Sequence, residues 1–306
     1  MRLLVVGAGA TGGYFGGRLA AAGRDVTFLV RPARAAHLRE YGLQIVSPHG
    51  DVTLAPQIVT ADQIAGAYDV VLLTVKAFAL DAALEDLSPA VGPQTMILPV
   101  LNGMKHMDAL AARFGAKAVI GGVCKVATTI DSEGRIIQLA KFQELAYGEM
   151  DGSLSDRMNE LDAFMQGAGF NAHVSSTIIR EMWEKWLFLA SLGGITCLMR
   201  GSIGETAAAP GGADFARQLI AEIAAIVTAS GFAPNEKLLA DTAASLTIHG
   251  SPLTSSMYRD LLNGHPIEAD QIIGDLLARG RQAGVQAPLL SAAYAHLCIY
   301  QKRRDG

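Results

Sequence analysis

The first thirteen residues, Met1-Arg2-Leu3-Leu4-Val5-Val6-Gly7-Ala8-Gly9-Ala10-Thr11-Gly12-Gly13, constrain this chain more than any other stretch. Leu3 to Val6 is an unbroken apolar run of β-favouring residues, as a strand buried on both faces of a parallel sheet requires. Gly7, Gly9 and Gly12 then complete G-x-G-x-x-G. The first glycine permits a tight turn, the second lets a pyrophosphate approach the backbone, and the third lets the next helix pack closely. Tyr14, Phe15, Leu19 and Ala22 recur at helical spacing, and Gly23-Arg24-Asp25 precedes a second apolar strand, Val26 to Val30. Strand, glycine turn and helix N-terminus together predict a dinucleotide site built from Gly7, Ala8, Gly9, Ala10, Thr11 and Gly12. In a chain with 33 glycines the spacing alone is weak evidence; the strand-turn-helix-strand setting carries the reading.

The second strand also bears on which dinucleotide is bound. An NAD site usually has Asp or Glu there to accept from the adenosine ribose, and such an acid would repel a 2′-phosphate. Here the strand runs out as Leu29-Val30-Arg31, with Arg34 three residues on, and a guanidinium fork suits phosphate. NADP is the expected cofactor.

A chain of 306 residues has room for two domains, and 50% hydrophobic with 18% charged residues describes a compact folded protein. A net charge of −4 gives no electrostatic reason to expect nucleic acid or an anionic membrane. Cys124, Cys197 and Cys298 are odd in number and widely spaced, which fits free thiols in a reducing compartment. The seven histidines, His37, His49, His106, His173, His249, His265 and His296, show no metal-ligand spacing. The apolar N-terminus reads as a strand rather than a signal peptide, and the longest later apolar stretch, Trp186 to Met199, is too short for a membrane span. A cytoplasmic protein is expected.

Asp69 to Lys76 and Thr95 to Val100 read as further strands, and Ala79 to Leu87 reads as a helix between them. The alternation predicts an α/β fold with a Rossmann-type, doubly wound parallel sheet whose ligands lie at the strands' carboxyl ends, where Lys76 and Asn102 fall. Arg135 to Leu139 and Glu144 to Gly148 read as two strands separated by turn residues, and Leu154 to Gly167 as a helix. Beyond Ser176 the pattern turns helical, near Ile178 to Leu192, Ala213 to Ala229, Glu236 to Ile248, Glu268 to Ala283 and Pro288 to Tyr300. The expected division is a nucleotide domain over residues 1–173 and an all-α domain over 174–306, with the substrate in a cleft between them.

Three segments near or within the helical half complete a constellation: Arg180-Glu181-Met182-Trp183-Glu184-Lys185-Trp186, Ser255-Ser256-Met257-Tyr258-Arg259-Asp260, and Pro266-Ile267-Glu268-Ala269-Asp270. With the glycine fingerprint, Thr74-Val75-Lys76-Ala77 and Asn102-Gly103-Met104, they closely resemble the ketopantoate reductase family over nearly the whole chain. The resemblance implies NADPH-dependent reduction of 2-dehydropantoate to pantoate, a step of pantothenate biosynthesis, on a fold whose helical part is similar to 6-phosphogluconate dehydrogenase. By the same resemblance Lys185 is the general acid and Glu268 lies near it and the nicotinamide. Asn102 contacts cofactor and substrate, Ser256 and Asp260 belong to the substrate site, Lys76 and Arg31 meet cofactor phosphate, and Ala127 offers a backbone contact to the cofactor. The chemistry is coherent, because hydride arriving at a 2-oxo carbon leaves charge on oxygen that an ammonium both stabilises and protonates. Met182, Phe188 and Leu189 lie one turn away on the same helical face, which gives the lysine partly apolar surroundings. Without the resemblance, Glu181 and Lys185 read as a surface i, i+4 ion pair.

The departures from the family pattern cluster. Asparagines stand in the family four, eight and eighteen residues after the lysine, to hold the substrate's hydroxyl and carboxylate; here those positions are Leu189, Gly193 and Ile203. A pocket without those amides gives up the selectivity that hydrogen bonds confer. Lys105 and His106 after Met104 are further departures, and either could meet a carboxylate. Two alternatives therefore stand beside 2-dehydropantoate reduction: a reductase of a less polar 2-oxo acid, and an NADP(H)-binding sensor without chemistry, against which Lys185 and Glu268 argue. The expected partner is a small-molecule 2-oxo acid, with neither nucleic acid nor membrane, and a homodimer is left open.

Overall fold

Leu3, Leu4 and Val5 are completely buried, and with Arg2 and Val6 they form β1 (Arg2–Val6). Burying each such side chain contributes on the order of 1.5–3 kcal/mol, which makes this strand the natural centre of a sheet. The computed structural model describes residues 1–305. The chain divides into two compact units, one of Met1–Leu101 with His106–Ile179, the other of Asn102–Lys105 with the chain from Arg180 onward.

In the first unit β1 is followed by α1 (Ala10–Ala21), β2 (Asp25–Leu29), α2 (Pro32–Tyr41), β3 (Leu43–Val46), β4 (Val52–Leu54) and β5 (Gln57–Val59). Then come β6 (Val70–Leu73), α3 (Leu80–Leu87), β7 (Met96–Pro99), α4 (Lys105–Phe114), β8 (Gly121–Ile130), β9 (Ile136–Gly148), α5 (Asp156–Met165) and β10 (Asn171–Val174). The main sheet has the order β5-β2-β1-β6-β7, with every neighbouring pair parallel. This is the doubly wound arrangement, with β1 at its centre and the first crossover at α1.

A second sheet accompanies it, in the order β10-β9-β3-β4, with β8 paired to β9. The stretch read from sequence as two strands flanking a turn is a single strand, β9. Its pairing with β8 jumps from Val126–Gln143 to Thr128–Gln138, so residues 139–142 form a wide bulge opposite Ala127. The bulge is closed from within: Gln138 Nε2 donates to Phe142 O at 3.4 Å, and the Tyr14 hydroxyl on α1 bonds both Gln138 and Gln143.

Helix α1 runs between the two sheets, and its glycines make room on both sides. A Cβ at Gly16 would lie 2.7 Å from Phe28 and 2.8 Å from Val5 of the main sheet. One at Gly13 would lie 2.4 Å from Ile136, and one at Gly17 2.7 Å from Leu43 and 2.8 Å from Ile45, all in the second sheet. Gly12 and Gly16 thus face one sheet while Gly13 and Gly17 face the other, each pair four residues apart on one helical stripe.

The second unit is built from α6 (Ile178–Met199), α7 (Ile203–Ala208), α8 (Gly212–Ala229), α9 (Glu236–Ser245) and α10 (Ser256–Leu262). A π-helical turn over Asp270–Gly274 then leads into α11 (Asp275–Gln282), and α12 (Pro288–Asp305) ends the chain. Local sequence sets the helix starts. Ser202 and Glu205 form a capping box on α7, Asn235 caps α9, and the Glu222 carboxylate takes the Leu289 and Leu290 amides that open α12. Trp183 stacks on Phe232 with ring centres 5.0 Å apart, and the Arg279 guanidinium lies 5.7 Å from the centres of both Trp183 and Trp186. No helix among the described residues is long and apolar enough to cross a membrane.

The close packing of α1 is open to test. Gly17→Val is expected to lower stability by roughly 1–3 kcal/mol, because β3 must shift to admit the side chain. A denaturant midpoint equal to that of the parent protein would contradict the placement of this helix face against Leu43 and Ile45.

Candidate active site

In the first unit the glycine turn is held from beneath. Gly7, at φ +98°, turns the chain out of β1 in a conformation that L side chains rarely adopt, and its amide donates to Leu29 O at 3.0 Å. Thr74, just past β6, donates from its hydroxyl to Val6 O at 2.9 Å and is within 3.0 Å of Gly7 O. A Cβ on Gly12 would lie 2.2 Å from both Gly7 O and the Thr74 hydroxyl, so this glycine is what lets α1 begin directly over the turn. At Gly9 the opposite holds, for a Cβ there would meet nothing within 4 Å.

That open space lies at the N-cap of α1, a twelve-residue helix with no acidic side chain in its first turn and no side-chain cap. The first amides of a helix lack intrahelical partners and sit at the positive end of its dipole. A cradle a Cβ would fill, beside uncapped amides, fits the pyrophosphate of a dinucleotide. Ala8, Ala10 and Thr11 present the intervening backbone, with Ala8 O receiving Arg34 Nε at 3.3 Å.

Arg31 and Arg34, alike in sequence, part company in the structure. Arg31 is exposed at the N-cap of α2, two residues past the end of β2. Arg34 is half-buried and spends its guanidinium on Ala8 O and, at 3.1 and 3.2 Å, on Gly134 O; burial lowers its pKa from the ordinary arginine value. Arg31 is therefore the arginine available to a ligand phosphate, and Arg34 braces the turn. Lys76 is exposed at the head of a short 3-10 turn, Ala77–Ala79. Ala127 is the residue that the β8–β9 register skips, which takes its backbone out of the regular ladder.

In the second unit Lys185 is the eighth residue of the 22 in α6, half-buried, with no hydrogen bond or ion pair to any described residue. The i, i+4 pair with Glu181 that the sequence allows is not formed. Met182 is buried one turn below it, and Phe188 and Leu189 are half-buried one turn above. Further along the same stripe Gly193 is closed over by α10, since a Cβ there would lie 2.8 Å from Met257 Cε. Ile203, which opens α7, is wholly buried. No amide side chain occupies any of these three positions, and Gly193 has no room for one while Met257 stays in place.

Glu268 is half-buried just ahead of the helical run containing the π turn, and its carbonyl accepts the Ile272 amide at 3.0 Å. Asn102 packs with this unit as part of the Asn-Gly-Met turn, where Gly103 has φ +79° and lies so near Gln271 that a Cβ would be 2.4 Å from its carbonyl oxygen.

The two candidate residues of α10 differ. Ser255, not Ser256, caps the helix, accepting from the Tyr258 amide at 3.0 Å and pairing with the Thr196 hydroxyl at 2.9 Å. Ser256 is left exposed. Asp260 lies 4.0 Å from His265 and in the electrostatic neighbourhood of Arg200, Cys197 and Tyr300. Arg200 follows Lys185 by fifteen residues, roughly 22 Å along a helix axis, so Asp260 is grouped with the far end of α6. Sequence reading did not assign Thr74 to the turn, and it offered Arg34 to a phosphate where the structure spends it on the Ala8 and Gly134 carbonyls.

Comparison with known proteins follows the same division. The family model described as ketopantoate reductase PanE/ApbA matches residues 3–152, and its C-terminal counterpart matches 177–301. An uncharacterized oxidoreductase from Bacillus subtilis, YkpB, is 34% identical over 99% of this chain and 100% of its own length. A crystal structure of 2-dehydropantoate 2-reductase from Geobacter metallireducens superposes with a TM-score of 0.88 at 29% identity, covering 97% of this chain and 99% of that one. D-mandelate dehydrogenase, solved with NADH and anilino(oxo)acetate, also reaches a TM-score of 0.88, over 100% of this chain and 99% of that one; at 20% identity this is a likeness of fold.

The open position at Gly9 yields a separable test. Gly9→Ala is expected to leave thermal stability within a degree or two of the parent, because the methyl meets no protein atom. It should weaken dinucleotide binding by roughly tenfold or more, equivalent to about 1.4 kcal/mol, measured by titration calorimetry. Unchanged binding would remove Gly9 from the cofactor site.

Proposed function

Because the chain belongs to the ketopantoate reductase family, a family of oxidoreductases, we propose that it reduces a 2-oxo acid with NADPH, Lys185 supplying the proton. The observation that carries the reading is Lys185 itself: an ammonium with no ion-pair partner among the described residues, half-buried on an apolar stripe of α6. A surface lysine of no function gains from pairing or from solvent; one kept unpaired against apolar neighbours is matched to a charge that arrives with the substrate.

The residues of the first unit would hold the cofactor. The α1 amides and the Gly7–Gly12 turn would take the pyrophosphate, Arg31 and Lys76 would take the 2′-phosphate end, and the Ala127 backbone would provide a further contact. When bound, NADPH supplies the hydride. Lys185 stabilises the oxygen on which negative charge develops and donates its Nζ proton to it, completing the 2-hydroxy acid. Glu268 is assigned to orient the ammonium, and Asn102 to fix substrate and cofactor by its amide. Ser256, exposed at the head of α10, and Asp260, one turn further along the same helix, are the proposed contacts to the substrate.

2-Dehydropantoate is the named substrate, because the family resemblance supplies it and places pantothenate biosynthesis as the setting. A second reading, a less polar 2-oxo acid, is favoured by one observation. Leu189, Gly193 and Ile203 replace amides, and Met257 fills the space at Gly193, so the α6 face beyond the lysine offers apolar contact in place of hydrogen bonds. NADPH oxidation with 2-dehydropantoate beside branched and aromatic 2-oxo acids decides between them; turnover of the others without turnover of 2-dehydropantoate would reject the named substrate.

Two substitutions test the assignments. Lys185→Ala should reduce kcat by roughly 10²- to 10⁴-fold, the usual worth of a general acid, while leaving NADPH affinity close to that of the parent; near-normal turnover would take the lysine out of the mechanism. Arg31→Ala should raise KM for NADPH and leave KM for NADH nearly unchanged, since only the former has the 2′-phosphate. Equal effects on both cofactors would argue that Arg31 meets some other part of the dinucleotide.

A further inference from the structure

The helical run after Glu268 opens with a turn of π geometry, Asp270–Gly274, before continuing as α11. A π turn accommodates an extra residue at the cost of regular i to i−4 pairing, and such turns are frequent where side-chain placement matters more than helix stability. Here it is gripped from three sides. From α6, the buried Trp186 Nε1 donates to Ile272 O at 2.8 Å. From the Asn-Gly-Met turn, Gly103 lies directly against Gln271 O. From α12, the Tyr294 ring occupies the space where a Cβ on Gly274 would be 2.9 Å away, and its hydroxyl donates to Asp270.

Two of these grips are one residue away from a candidate active-site residue, and the third is two away: Trp186 follows Lys185, Gly103 follows Asn102, and Asp270 comes two after Glu268. The Trp186 contact differs in kind from the others, being the only one of the three in which a side chain satisfies a backbone carbonyl of the π turn. Trp186 is 1% exposed, and a buried indole N–H without an acceptor is costly, so the bond sets one fixed separation of the π turn from α6. Lys185 and Glu268 then inherit that spacing through one and four residues of chain.

We infer that Trp186 is a positioning residue for the reaction: by holding the Ile272 carbonyl, its indole N–H sets where the Glu268 carboxylate stands relative to the Lys185 amine. The inference rests on the assignment of Lys185 and Glu268 given above. It differs from a packing role because it depends on one N–H rather than on ring volume, and because its effect is exerted only through the lysine.

The test uses Trp186→Phe and, should that variant be poorly folded, site-specific replacement of Trp186 by 3-benzothienylalanine, in which sulfur stands for the N–H at nearly constant shape. With the best 2-oxo acid found, kcat should fall roughly 10- to 100-fold, as displacement of a reacting group by about 1 Å does. NADPH affinity should be unchanged, and the alkaline limb of the kcat pH profile should shift. Amide exchange across residues 268–274 should quicken while exchange along α12 is unaltered. In a Lys185→Ala background the same substitution should cost less than about twofold further, because the group it positions is gone.

A parent-like kcat and pH profile would overturn the inference. So would a loss of kcat that is fully retained in the Lys185→Ala background, since that is what a packing defect gives. If Lys185→Ala alone keeps normal turnover, the failure lies with the assignment of the lysine and not with Trp186.

Discussion

Helix α1 can lie where it does only because four of its residues have no side chain. Gly12 and Gly16 let it approach the main sheet, and Gly13 and Gly17 let the second sheet approach it from the other side. Eight consecutive residues, Gly12 to Leu19, are buried as a result. The same close approach sets the helix's first amides over the turn that leaves β1, so the packing of the first unit and the pyrophosphate site proposed there have one cause. The cost of four helical glycines, about 1 kcal/mol each relative to alanine, is offset by an apolar cluster that draws Leu43, Ile45 and Ile136 into the same core as Val5 and Phe28.

The second unit has an analogous hub in the π turn. Helix α6, the Asn-Gly-Met turn and α12 all meet it through contacts that tolerate little displacement. Protein interiors are close-packed, so elements joined in this way move together or not at all. Lys185, Asn102 and Glu268 are thereby placed on one rigid frame although 166 positions separate Asn102 from Glu268 in the chain. Leu189, Gly193 and Ile203 belong to the same unit, where Met257 closes over Gly193 and Ile203 is wholly buried.

Much of this was legible in the sequence, and the exceptions have physical reasons. The first strand, glycine turn and first helix declare themselves because every signal is local: an apolar run, fixed glycine spacing, then helical periodicity. The helices of the second half follow from the same kind of pattern. The second sheet was not legible, since β3 and β4 are four and three residues long and β3 finds its partner β9 some ninety residues away. The polar residues Lys141 and Gln143 made one strand look like two flanking a turn, whereas they stand in or beside a bulge that Tyr14 closes from another element. Nothing local marks a π turn. Lys185 in isolation reads as half of an ion pair with Glu181, and only the family pattern gave it chemistry; the helix shows that pair is not made.

The chain is an oxidoreductase of the ketopantoate reductase family, with the glycine turn in its first unit and Lys185 half-buried on α6 of its second. In the proposed reaction the Lys185 amine meets the carbonyl oxygen being reduced. The most direct measurement is a crystal structure of the ternary complex with NADP+ and an unreactive 2-oxo acid analogue such as an oxamate. Lys185 Nζ is expected within hydrogen-bonding distance, roughly 2.7–3.2 Å, of the oxygen that stands for the 2-oxo group. An amine turned to solvent, with another donor on that oxygen, would contradict it.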